Sequence, residues 1–341
     1  MHQTLHINTG PRGFISEQSC DMVVLRGHTR FSVKVDATKV DGTGLGKKML
    51  QEMELWKGLP CGRARDEPIL NLIYQHCLPV FEKLAPETSL QNLSVESFLQ
   101  APSFNLELAK EDGEDVRITG DEDCLYTPAF FTAPIPTADL PKLGTSLRHL
   151  QARDIQIAPP IDEGRTLNSI QGRVVTADGT HFFFKPRLEL RERDFERELC
   201  ILSRIDEAGL APQFRVPKLH GLVVSGNMTV GLLMTMVTQS TSGTHLRCPG
   251  LQERLDLHEK WEKQLAVTVR ELHAHGIVWG DVHPMNILID ESMDAWAIDF
   301  GGMNNVEFVD DEKRETVEGD WQGLNRVFQE WLPDPQRRVR L

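Results

Sequence analysis

The chain has 341 residues, 40% of them hydrophobic, and a formal net charge of −13 at neutral pH. That length and apolar content support a sizeable core, in one large or two ordinary domains. The acidic balance argues against duplex DNA or anionic lipid as the main partner, because both demand a field of Lys and Arg.

The first 131 residues read as an N-terminal α/β extension with no role legible in them. They open on MHQTLHINTGPRGF, which shows no basic start followed by an apolar core. Arg30 to Val35 alternates like a strand. Leu45–Leu59 and Pro68–Leu84 repeat apolar residues at three and four, which predicts two helices, the second bent or stopped at Pro79. The acidic stretch Glu107 to Asp123 and the proline-rich TAPIPTADLP read as surface loop and linker, with the linker at 132–143 and a second domain over 144–341.

In that second domain, TADGT at 176–180 is a turn between two strand-like runs and predicts a hairpin ending in HFFFK. A helix is expected from Phe195 to Ile205 and an apolar strand over Thr229–Val237. A long helix then carries Leu251, Leu255, Trp261, Leu265, Val269 and Leu272 on one side. Strands first and helices later predict a two-lobed α+β domain. Cys20, Cys61, Cys77, Cys124, Cys200 and Cys248 lie far apart without metal-ligand spacing, so they are expected reduced and mostly buried. No stretch reaches the roughly 18 apolar residues a membrane helix needs. An intracellular, cytoplasmic protein with no membrane or nucleic-acid partner is the expectation.

The most informative segment is HAHGIVWGDVHPMNILID, followed by AWAIDFGG. Asp281 and Asn286 stand five apart on a loop, and Asp299 follows thirteen residues later behind a short strand. This is the spacing of a kinase catalytic loop and its metal-binding turn. Phosphoryl transfer requires these residue types. Several phosphate charges must be offset by Mg2+ on oxygen ligands, which Asn286 and Asp299 provide. A third carboxylate must orient the acceptor hydroxyl and take its proton, and Asp281 holds that position. Taken singly, the three are ordinary as a turn residue, a cap and a loop acid. Together with His283-Pro284, the apolar Ile287-Leu288-Ile289 and the Gly301-Gly302 pair, they form one pattern.

At these residues the chain resembles the protein-kinase-like superfamily, and in particular fungal kinase-like proteins with GIVWGDxxxxNVLID, IDFGG and TxEGD. The resemblance covers about residues 142 to 332 and implies a small β-rich N-lobe over about 144–237 and a shortened, mainly helical C-lobe over about 238–341. It implies that Lys185 holds the α- and β-phosphates of ATP and that Glu198 pairs with it; Glu198 is preferred over Glu196 because Leu199, Leu202 and Ile205 share its helical frame. Asp320 is read as a helix cap, or as the acid that braces the catalytic loop in kinases. The expected activity is ATP- and Mg2+-dependent phosphoryl transfer to a protein or small-molecule hydroxyl.

Three departures limit that expectation. Residues 155–179 contain no GxGxxG, leaving Gly164 and Ser169 as the nearest candidates for the phosphate-covering turn. Phe183 stands on the face of Lys185, where kinases keep a small residue over the adenine. Trp279-Gly280 replaces His-Arg before Asp281, removing the guanidinium that receives an activation-loop phosphate. The loop GDxHPxN also resembles aminoglycoside and choline phosphotransferases. A pseudokinase serving nucleotide sensing or protein interaction is therefore the second reading. A metal-only hydrolase using Asp281, Asp299, His283 and His275 is a distant third, as the histidines lack ligand spacing.

Overall fold

A computed structural model describes residues 19–26, 29–55, 63–85, 93–100, 102–110, 116–120, 133–144, 147–158, 172–188, 191–211, 213–303 and 305–338. The chain groups into two compact units, one drawn from residues 1–131 and 156–170, the other from 132–155 and 171–341.

The first unit is a four-stranded sheet with helices. Strands β1 (Ser19–Arg26) and β2 (Thr29–Asp36) form an antiparallel pair. Helices α1 (Gly44–Leu55), α2 (Arg63–Leu84) and α3 (Val95–Leu99) precede β3 (Ser103–Lys110), which joins β2 in parallel and takes β4 (Val116–Gly120) on its other edge. A parallel pair needs a crossover of this length. Ile69, Ile73, Cys77 and Phe81 recur every fourth residue of α2 and are buried, with the Phe81 ring 4.5 Å from that of Phe31. That stripe continues past Pro79, so the helix is not stopped there; burial on one face outweighs the hydrogen bond the proline removes. The stretch from Glu107, expected as loop, instead belongs largely to β3 and β4. Leu106 and Leu108 alternate into the core while Glu107 pairs with Lys39.

The second unit begins with β5 (Ile135–Pro136) and β6 (His149–Gln151), and β7 (Ile155–Ile157) falls where the chain divides between the units. Next come β8 (Gly172–Thr176), β9 (His181–Pro186), α4 (Glu192–Glu207), β10 (Leu219–Ser225) and β11 (Met228–Thr235). The strands run β6-β10-β11-β9-β8 across a curled sheet, and β5 also pairs with β11. The expected hairpin forms: Asp178 accepts from Thr176 Oγ1 at 2.6 Å and Thr180 N at 3.0 Å, while Gly179 takes φ +81°. The proline-rich segment lies along the sheet through β5, with Ala133 N donating to Arg187 O at 2.9 Å and Thr137 Oγ1 lying 2.9 Å from Thr229 Oγ1.

The long helix expected from Leu251 is broken. α5 (Pro249–Gln252) ends before α6 (Leu255–Ala274), and Leu255 is 70% exposed. Pro249 starts its own short helix, and the buried stripe of α6 begins only at Trp261. Strands β12 (Ile287–Ile289) and β13 (Ala295–Ala297) form a hairpin, followed by α7 (Val317–Asn325), a π-helical turn (Arg326–Trp331) and α8 (Pro335–Arg338). Trp261, Trp279, Trp331, Phe300 and Phe308 fill this core. The unit is α+β, with the kinase-like two-lobed arrangement of a curled sheet and a helical part. Among the described residues no helix is long and apolar enough to cross a membrane. Cys20 is buried; Cys77, Cys200 and Cys248 are free thiols, and burial pushes Cys77 up to about 12. Cys61 and Cys124 lie outside the described residues.

Candidate active site

The site starts from the sheet. β9 is held on both sides, by β8 and β11, with Leu232 opposite Lys185. A strand fixed in this way delivers the Lys185 ammonium to a defined point. α4 packs Leu199, Leu202 and Ile205 inward, and the same frame turns Glu198 into the core at 2% exposure. Lys185 Nζ pairs with Glu198 Oε2 and donates to Asp299 Oδ1 at 2.8 Å. Glu196 points elsewhere and meets Arg187 at 3.3 Å.

Burial works against charge on Lys185, but Glu198 and Asp299 flank it and hold the ammonium above its ordinary range. Glu198 is the most enclosed of the three, and burial pushes its carboxyl up, against the pull of Lys185. Burial also opposes charge on Asp299, yet Lys185 keeps this carboxyl below its ordinary value. The cluster thus presents a fixed cation beside an ionised acid.

The hairpin β12–β13 sets the second group. Asn286 ends the turn before β12 and Asp299 follows β13, with Ile298 N donating to Asn286 O at 3.1 Å. Asp290 shapes the hairpin turn by accepting from Ser292 N, Asp294 N and Trp296 Nε1. Asn286 Nδ2 donates to both Asp281 O and Asp281 Oδ2, each at 3.0 Å. His283 Nε2 lies 3.4 Å from Asp281 Oδ2, and its Nδ1 accepts from Met285 N at 3.3 Å, so this residue orients the loop. Asp281 and Asn286 are both buried.

The loop is braced from behind. Asp320, 1% exposed, accepts from Trp279 N and Gly280 N, each at 2.8 Å, and lies 2.7 Å from His273 Nε2. It is not the cap of α7: Thr316 is, accepting from Gly319 N at 3.0 Å, because the helix starts at Val317. The Trp279 indole donates to Ile298 O at 2.8 Å, which ties the loop to the strand entering Asp299. Asp299 itself has φ +60°. His275 bonds within its own helix end, 2.9 Å from Glu271 O.

Among the described residues no three His, Cys, Asp or Glu gather as a metal cluster. Mg2+ does not need one, since it takes one or two protein oxygens and completes its shell with phosphate and water. Asn286 commits its Nδ2 to Asp281, which leaves its carbonyl as an acceptor. Asp299 engages Lys185 and Gly301 through Oδ1, leaving Oδ2 for a cation. This hard-oxygen donor set fits Mg2+.

Residues 184–319 match the family model of the ABC1 atypical kinase-like domain. That span runs from the end of β9 to α7 and contains every residue of the site except Asp320. The match supports placement in the protein-kinase-like superfamily, as a kinase-like phosphotransferase or a pseudokinase. No curated protein matches the chain.

Of the site residues expected from the sequence, the structure brings Lys185, Glu198 and Asp299 into contact and bonds Asp281 and Asn286 to each other. The sequence did not point to Arg197, which reaches the carbonyls of Val278 and Trp279 from α4. Only the glycine at 280, where kinases carry arginine, hinted at it. Gly164 and Ser169 lie outside the described residues.

Proposed function

We propose that the chain is an ATP- and Mg2+-dependent phosphotransferase that moves the γ-phosphate to a hydroxyl of a protein or small molecule. The observation that carries this reading is the Lys185 ammonium joining Glu198 of α4 to Asp299 after β13, beside a braced Asp281–Asn286 loop. The catalytic region is taken as residues 144–341, with lobes meeting near residue 237.

In this reading Lys185 binds the α- and β-phosphate oxygens, and Glu198 holds it there. Asn286 and Asp299 would hold Mg2+, which neutralises phosphate charge when bound. Asp281 orients the acceptor hydroxyl and receives its proton as that oxygen bonds the γ-phosphorus. The bond to the β–γ bridging oxygen breaks and ADP leaves with the electron pair.

Phe183 supports a second reading. It is partly buried on the face of Lys185, where a phenyl ring competes with adenine for space, as in a pseudokinase. Thermal shift with Mg2+ and ATP separates the two, because a ligand of the native state alone raises Tm. The phosphotransferase reading expects a rise in Tm, together with ATP turnover lost in Asp281→Asn and Asp299→Ala. Equal turnover in wild type and both variants would refute it, and a flat Tm at millimolar ATP would favour the pseudokinase.

A further inference from the structure

Arg197 and Glu198 are consecutive on α4, and between them they hold one residue of the turn after Asp299 at both ends of its backbone. Glu198 Oε1 accepts from Phe300 N at 3.4 Å, and Arg197 Nη1 donates to Phe300 O. The same guanidinium donates to Trp279 O and Val278 O, each at 3.2 Å. A planar fork of five N–H groups suits three carbonyl oxygens on two separate chain segments. Arg197 Nε also lies 3.9 Å from Glu315 Oε1, beyond the Asp299 turn.

Two glycines make the room. A Cβ on Gly280 would lie 2.5 Å from Arg197 Nη2, and one on Gly302 would lie 3.1 Å from Arg197 Cδ and 2.7 Å from Glu315 Oε1. Both glycines have positive φ, +87° and +78°. So the position where a kinase carries its loop arginine is empty of side chain, and a guanidinium from α4 fills the space.

We propose that Arg197 is a positioning residue: it locks α4 to the catalytic loop and to the turn after Asp299, so that Lys185, Glu198 and Asp299 stay assembled without phosphorylation of the activation segment. This rests on the phosphotransferase reading for its consequence in turnover, but not for its geometry. Kinases that switch by phosphorylation add the anion that meets their arginine. Here the anion is Glu315, a constant carboxylate. The only hydroxyl side chain between Asp299 and Asp320 is that of Thr316, and it is already engaged, accepting from Gly319 N and donating to Lys313 O.

The test compares wild type, Arg197→Lys and Arg197→Met in the full chain by hydrogen–deuterium exchange, Tm and steady-state ATP turnover. Arg197→Met should speed exchange in peptides covering 278–282 and 299–302 while exchange in β10 and β11 stays unchanged. Its kcat should fall about 100-fold with little change in the KM for ATP, the scale on which misplaced reacting groups act. Arg197→Lys keeps the charge without the fork and should lie between the two. Unchanged exchange at both loop segments, or a loss of turnover that tracks the unfolded fraction, would overturn the proposal. Should Arg197→Met not fold, Arg197→Lys decides by the same readings. A wild type that neither turns over ATP nor is stabilised by it would sink the phosphotransferase reading, and the exchange comparison would still decide the role of Arg197.

Discussion

Asp320→Ala tests how the loop leading into Asp281 is held. The carboxylate is buried at 1% exposure and accepts two buried backbone donors, Trp279 N and Gly280 N, at 2.8 Å each. Alanine supplies no acceptor to either donor. Each stranded donor costs about 1–3 kcal/mol, so the pair should cost about 2–6 kcal/mol. That is a large part of the roughly 5–15 kcal/mol that holds a folded domain together. Asp320→Asn keeps one acceptor oxygen but turns an amide toward the other donor, so its cost should be about half that of alanine. His273, 2.7 Å from the same carboxylate, loses its partner in the alanine variant. Urea unfolding followed by tryptophan fluorescence reads the change, because Trp261, Trp279 and Trp331 report the same core. Turnover should fall as well, since Asp281 follows Gly280 directly. A destabilisation under about 1 kcal/mol for alanine, or an asparagine variant as damaged as alanine, would refute the bracing argument.

The parts of the fold legible in the sequence are those whose partners are near in the chain. The β8–β9 hairpin was readable because Asp178 and Gly179 supply the turn between two apolar runs. α4 was readable from its own periodicity, although it extends about a turn at the start and a residue or two at the end beyond the expected Phe195–Ile205. β3 was hidden because Glu107 and the acidic run that follows the strand at 111–115 outweigh, by composition, the alternation of Leu106 and Leu108 that decides its state. The break before α6 was hidden because Leu251 and Leu255 fit one helical stripe, and only three-dimensional packing leaves Leu255 outside.

The site divides the same way. Asp281, Asn286 and Asp299 are legible because a loop and one hairpin hold all three within nineteen positions (281 to 299). Lys185 and Glu198 follow from a strand end and a helix frame. Asp320 had two readings, a cap because an acid early in a helix is commonly one, and a loop brace because the resemblance implies it; its bonds to Trp279 N and Gly280 N are those of a brace. The donors it accepts from, two backbone amides about forty residues away, carry no side-chain pattern of their own, so only the resemblance pointed to them. Arg197 was illegible for a related reason: three of its partners are carbonyl oxygens, which every residue carries, so no pattern of side chains announces them.

Two further predictions concern charge. Asp294, bonded by Lys260, Gln264 and Arg215, has its carboxyl lowered to about 2, although its burial alone would raise it. A folded pKa below the ordinary value gives stability that is present above about pH 4 and lost as pH falls toward 2; screened by water, this is about 1–2 kcal/mol. Asp294→Asn should therefore flatten the fall in urea midpoint between about pH 5 and pH 3, and an unchanged slope would refute the assignment. The second concerns Lys185→Met. Burial already pushes the Glu198 carboxyl up, and removing its cation leaves burial nearly unopposed, since Asp299 beside it carries the same sign. The folded variant then holds a proton on Glu198 more tightly than the unfolded chain does. An acid raised on folding favours the native state at low pH, so stability should fall as pH rises from about 5 to 7, more steeply than in wild type. Adding Glu198→Gln removes the ionisable group and should remove the extra slope. If Lys185→Met and the double variant show the same pH dependence, Glu198 is not the buried acid that Lys185 neutralises, and the electrostatic account of the site fails at its centre.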